Sequence, residues 1–179
     1  MKQSRYLKWL AGFLIFVSPV SYLKSQLEHQ NHPWWVSLGA GPSLVGSTFS
    51  MNAGMVYCYQ FEHSMISARL IGVTNKNPTV QKIDPTRVNY KFSDYGVLYG
   101  PLWRSEQTYA SIGAGIGLVR AACETPASID THTSVSLPLE AQWFWRPTRF
   151  AGIGLYTYTS LNFEKHLFGV LMCVQLGMW

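Results

Sequence analysis

The chain has 179 residues, enough for one domain, and only 13% of them are charged while 15% are aromatic; an average soluble domain carries about 25% charged residues. Mean hydropathy is nevertheless near zero, which excludes a bundle of membrane helices and leaves room for a barrel whose in–out alternation averages out. Four of the fourteen basic residues, Lys2, Arg5, Lys8 and Lys24, fall in the N-terminal segment, so the rest of the chain, with ten basic and nine acidic residues, is nearly neutral, and no basic patch points to nucleic acid.

Residues 1–25 read as a secretory signal. Lys2, Arg5 and Lys8 form a charged start, Trp9 to Val17 is an apolar run, and Ser18-Pro19 breaks it. The run is shorter than the roughly 17–25 apolar residues a spanning helix needs. Cleavage is expected at Ser25–Gln26, with Ser21 as the alternative. Residues 26–33 are a short polar lead-in.

From Trp34 the period changes to two, the period of a strand. Strand one, Trp34 to Gly41, puts Val36, Leu38 and Ala40 on one face, and Pro42 to Ser47 reads as a tight connection. Strand two sets Phe49, Met51, Ala53, Met55, Tyr57, Tyr59 and Phe61 against Ser50, Asn52, Gly54, Val56, Cys58 and Gln60. Glu62-His63 is a turn. Strand three sets Ile66, Ala68, Leu70 and Gly72 against Ser67, Arg69, Ile71 and Val73. Asn75 to Lys91, with two prolines and five charges, reads as a long loop.

Strand four, Phe92 to Trp103, sets Tyr95, Val97, Tyr99 and Trp103 against Asp94, Gly96, Leu98 and Gly100; Arg104 to Gln107 is a turn. Strand five, Tyr109 to Leu118, alternates Ala110, Ile112, Ala114, Ile116 and Leu118 with Ser111, Gly113, Gly115 and Gly117. No helical pattern follows the glycines, so they are not a dinucleotide loop; they suit the inside of a narrow barrel. Val119 to His132 reads as a second long loop.

Strand six, Thr133 to Trp145, is the clearest. Val135, Leu137, Leu139, Ala141, Trp143 and Trp145 oppose Ser134, Ser136, Pro138, Glu140, Gln142 and Phe144. A soluble strand seldom runs this long or ends in two tryptophans, whereas a membrane strand needs about 9–11 residues with aromatics near an interface. Arg146 to Arg149 is a compact turn. Strand seven runs from Phe150 to Ser160. Strand eight runs from Leu167 to Trp179, with Phe168, Val170, Met172, Val174, Leu176 and Met178 on one face.

Eight strands is an even number. Connections two, four and six are short, while three and five are long, which is the parity of a barrel with periplasmic turns and external loops. The fold expected is therefore all-β, an eight-stranded antiparallel up-and-down transmembrane barrel over residues 34–179. Arg69, Asp94 and Glu140 fall on the face opposite the apolar row. A carboxylate inside the barrel needs a partner, and Arg69 and Glu140 are expected to pair across the lumen, giving a polar plug rather than an open pore. Cys58, Cys123 and Cys173 are odd in number and widely spaced, so they suggest neither a disulfide framework nor a metal site. No cofactor is expected. His29, His32, His63 and His166 read as turn residues.

The Trp-Trp-Val-Ser-Leu-Gly-Ala-Gly-Pro start, Gly-x-Gly-x-Gly at 113–117, Leu137-Pro-Leu-Glu-Ala-Gln, Gly152-Ile-Gly-Leu-Tyr and the aromatic last residue resemble the small eight-stranded outer-membrane barrels of the OmpA/OmpX-like superfamily. The resemblance implies a Gram-negative-type outer-membrane location, insertion by the barrel-assembly machinery, and a non-enzymatic role in displaying loops or stabilising the envelope. In that family the apolar row shares a face with the terminal aromatic; here it ends one residue early, at Met178, and a bulge near Gly177 would restore the register. Two other functions are open. A soluble periplasmic or secreted barrel that binds a small ligand would turn the apolar rows inward. A lipid A-modifying hydrolase would use His132, Ser134 and Glu140, which share one face of strand six and are similar to the His-x-Ser arrangement of deacylase barrels.

Overall fold

The computed structural model describes residues 33–46, 48–74, 89–124, 129–162 and 166–178; the expected signal segment and lead-in, up to His32, lie outside them. Eight strands follow in order: β1 Trp34–Val45, β2 Thr48–Phe61, β3 Ser64–Thr74, β4 Asn89–Arg104, β5 Thr108–Glu124, β6 Ile129–Trp145, β7 Ala151–Asn162 and β8 Leu167–Met178. Each pairs antiparallel with the next, and β8 pairs with β1, which closes the barrel. Among the described residues no helix is long and apolar enough to cross a membrane.

Closure has a defined stagger. Paired residues followed once round the wall from Trp34 pass through Tyr59, Ile66, Tyr99, Ala114, Leu139, Thr159 and Phe168 and return to Leu44, ten residues further along β1. Such a stagger goes with strands tilted by roughly 35–45°. Because the path climbs as it circles, inward residues from all eight strands fall into layers stacked along the axis.

Three prolines lie inside strands, and each coincides with an interruption in a ladder. Pro42 falls between Ala40↔Met172 and Ser43↔Gly169, Pro101 between Tyr99↔Ala114 and Leu102↔Ser111, and Pro138 between Ala114↔Leu139 and Gly117↔Ser136. A proline lacks the N–H that a ladder uses, so it is tolerated where the bond is already missing. For that reason β1 continues through Pro42 to Val45, four residues beyond the strand end expected from sequence. Gly46 has φ +59°, a left-handed conformation that glycine adopts without strain.

The expected loop Val119–His132 is mostly strand. β5 and β6 stay paired as far as Cys123↔Asp130 and Glu124↔Ile129, and β4 accompanies them from Asn89. Outward Lys91, Arg120, Thr131 and Thr133 are exposed on this extension. The apolar outward row ends there: Arg120, Thr131 and Thr133 face outward, while Val119 and Ala121 pack inside. The ladder at the other end runs without a bulge through Trp35↔Gly177 to Trp34↔Met178, so the expected register correction near Gly177 is absent and Met178 faces outward.

Candidate functional site

The outer surface is a continuous apolar belt. Val135, Leu137, Trp143 and Trp145 of β6 are 66%, 51%, 53% and 41% exposed. The same outward rows recur on neighbouring strands: Met51 and Met55 on β2, Ile112, Ile116 and Leu118 on β5, and Met172, Val174 and Leu176 on β8. From Val135 to Trp145 the row spans about 33 Å of strand, or about 25 Å along the axis at this tilt, the height of a hydrocarbon band. Trp34, Tyr57, Tyr59, Tyr99, Trp103, Trp143, Trp145 and Phe150 concentrate aromatic side chains at the end that carries both termini of the barrel and the β2–β3, β4–β5 and β6–β7 turns. Amphipathic rings of this kind settle at a membrane–water interface.

The lumen is packed in three zones. At the girdle end Tyr109 stacks on Phe144 with ring centroids 5.3 Å apart and meets Trp35 at a tilt of 53°, 5.2 Å between centroids. Met65 and Leu102 complete this zone. At the opposite end Val45, Val73, Phe92, Val119 and Leu167 are buried. A polar zone lies between them.

Two carboxylates organise the polar zone, and they are held differently. Arg69 Nη2 meets Asp94 Oδ2 at 2.7 Å, with both side chains fully buried. Ser160 Oγ closes the triangle, accepting from Arg69 Nη2 at 2.6 Å and donating to Asp94 Oδ2 at 2.7 Å. Arg69 also donates to the Leu139 and Thr159 carbonyls and lies 5.3 Å from the centre of the Tyr158 ring. Glu140 accepts from three neutral donors: Ser67 Oγ at 2.6 Å, Tyr156 OH at 2.6 Å and Gln142 Nε2 at 3.1 Å. Gly113 makes room for it, since a Cβ there would lie 3.2 Å from Glu140 Oε1.

The direct Arg69–Glu140 pair expected from sequence is therefore replaced. Both side chains are buried in the lumen, at 3% and 5% exposure, but the arginine's ion pair goes to Asp94. The physical reason is reach. Arg69 and Asp94 lie on adjacent strands, and Ser160 gives them a shared third partner, while Glu140 is already saturated by hydroxyl and amide donors. Asp94 was legible as an inward charge; its partnership depends on the stagger of the wall.

Glu140 stands apart from the other two residues of the hydrolase arrangement. Ser134 lies six residues along β6 from Glu140, about 20 Å at the rise of a strand, and His132 is exposed on the extension. Cys58 and Cys173 are buried in the wall and Cys123 is half-buried, all as free thiols. Among the described residues no group of three or more His, Cys, Asp or Glu is placed to hold a metal ion. The pattern-based reading passed over the Trp35–Tyr109–Phe144 cluster, although all three carry inward parity. It also treated Arg104, Arg146 and Arg149 as turn residues alone.

No protein-family model matches the chain, and no curated protein matches it. Solved structures do. Ail, the attachment invasion locus protein of Yersinia pestis, superposes with a TM-score of 0.62 at 17% identity, over 84% of this chain and 100% of Ail. Neisserial surface protein A superposes with 0.65 at 12% identity, over 80% and 96%. The N-terminal β-barrel domain of Pseudomonas aeruginosa OprF gives 0.54 at 10% identity, over 80% and 97%. The chain has the closed eight-stranded barrel fold of the outer membrane protein Ail, of NspA and of the OprF barrel domain.

Proposed function

We propose that the chain is an integral outer-membrane β-barrel of the Gram-negative type, without enzymatic activity, that stabilises the envelope and presents its long-stranded rim outside the cell. One observation carries this reading: the belt of outward apolar side chains, about 25 Å tall and bordered at one end by aromatics. In water each such side chain would forgo about 1.5–3 kcal/mol of burial; in hydrocarbon the belt is solvated. Closure then follows from lipid, because an open sheet edge would leave N–H and C=O groups unpaired at several kcal/mol each. A soluble ligand-binding barrel has the opposite polarity. The rim contributed by β4, β5 and β6 is the surface left for an external partner. Delivery would use the segment 1–25 as a signal and the barrel-assembly machinery for insertion.

The test is fractionation of the full chain expressed in a Gram-negative host. The protein is expected in the outer-membrane fraction, resistant to carbonate, and to migrate differently in SDS before and after boiling. Release into the carbonate wash, with one mobility in SDS, would overturn the reading.

A further inference from the structure

At the girdle end, the β4–β5 and β6–β7 turns border an open hollow of about 430 Å³ lined by Arg104, Glu106, Gln107, Arg146, Thr148 and Arg149, among others. Three arginines and one glutamate are among its lining residues. The bowl is built around Arg146, which is 6% exposed. Its backbone N–H donates to the Gln107 carbonyl at 2.7 Å and its Nη2 donates to the Ser105 carbonyl at 3.2 Å, so one residue joins the two turns. Behind it, the guanidinium rests 5.7 Å from the centre of the Tyr109 ring, on the lumen stack. Burial holds Arg146 below the ordinary arginine value, and Arg104 beside it pushes the same way. Thr148 is occupied within its own turn, where its hydroxyl accepts from the Phe150 and Ala151 amides. The lining as a whole is cationic, three arginines against one glutamate.

The surroundings say what kind of anion fits. Trp103, Trp145 and Phe150 are the chain neighbours of Arg104, Arg146 and Arg149, and they are 54%, 41% and 67% exposed on the outer face. Charge and hydrocarbon-solvated rings thus alternate across one edge, with the arginines just beyond the belt. A ligand that satisfies both carries an anionic head and apolar tails.

Resting on the outer-membrane reading above, we propose that this bowl binds the phosphate of an anionic phospholipid from the leaflet at the short-turn end. The acyl chains lie along Trp103, Trp145 and Phe150. Arginine forks match phosphate oxygens in pairs, and aromatic rings mark the headgroup level where that phosphate sits. Glu106 opposes a second negative charge and favours a phosphodiester monoanion over a free phosphate dianion.

The experiment reconstitutes the full barrel in bilayers of equal phosphatidylglycerol and phosphatidylcholine. It then counts the lipids retained on the protein by native mass spectrometry. Wild type is expected to retain phosphatidylglycerol about tenfold over phosphatidylcholine, and Arg104→Gln/Arg149→Gln to fall to near parity. The boiling-dependent mobility shift checks that the variant is folded. Equal retention of the two lipids by wild type, or an unchanged preference in the folded variant, overturns the proposal. Displacement of phosphatidylglycerol by millimolar inorganic phosphate assigns the bowl to free phosphate and overturns the lipid source. Failure of wild type to float with liposomes, measured first, overturns the outer-membrane reading instead.

Discussion

The two faces of the same eight strands answer to different requirements. The outer face is apolar almost without regard to which residue stands where: Val135, Leu137, Ile112, Met172 and Phe168 all serve. The inner face depends on particular pairs. Arg69 needs Asp94 and Ser160, Glu140 needs Ser67, Tyr156 and Gln142, and Tyr109 needs its place between Trp35 and Phe144. A solvent tolerates any side chain of the right class, whereas a packed interior accepts one of the right shape and charge at one height. The outside should therefore resist conservative change and fail only on a change of class. The inside should fail when a single partner is lost.

The largest effect is expected in the lumen. Arg69→Met leaves Asp94 buried without its cation and should cost about 3–5 kcal/mol, read as a lowered urea midpoint for the barrel in detergent or lipid. Arg69→Met/Asp94→Asn should recover most of that loss. If the single variant unfolds at the wild-type midpoint, the inner face does not depend on pairing as argued.

Next comes a change of class outside. Val97 is 57% exposed within the belt, and Val97→Arg should cost about 2–4 kcal/mol if hydrocarbon surrounds it. Val97→Leu should be silent in the same titration. Equal stability of the Arg and Leu variants would remove the contrast between the faces.

The smallest effect has the opposite sign. Ser111 Oγ is buried without a hydrogen-bond partner. Removing such a hydroxyl relieves a desolvation cost, so Ser111→Ala should raise the unfolding midpoint by up to about 1 kcal/mol of stability. A loss of stability there would mean that the hydroxyl has a partner, such as a lumen water.

Legibility followed the same division. Strand number, the apolar rows and the placement of Arg69, Asp94 and Glu140 on the opposite face could be read from alternation, because a period of two survives wherever one face meets hydrocarbon and the other does not. The extension of β5 and β6 could not, since Arg120, Thr131 and Thr133 stand beyond the belt and no apolar row continues on the outer face. The passage of β1 through Pro42 was hidden as well, because a proline signals a turn unless the ladder is known to be interrupted there.

The sequence by itself determined which residues of each strand share a face, because a residue's face is set by its neighbours one and two positions away; that the apolar face is the outer one was decided by the closed barrel. Only the tertiary structure decided that Asp94 rather than Glu140 receives Arg69, that Tyr109 packs between Trp35 and Phe144, and that three turn arginines share one bowl. Those meetings depend on the ten-residue stagger of the closed wall, a property of all eight pairings together that no single strand encodes.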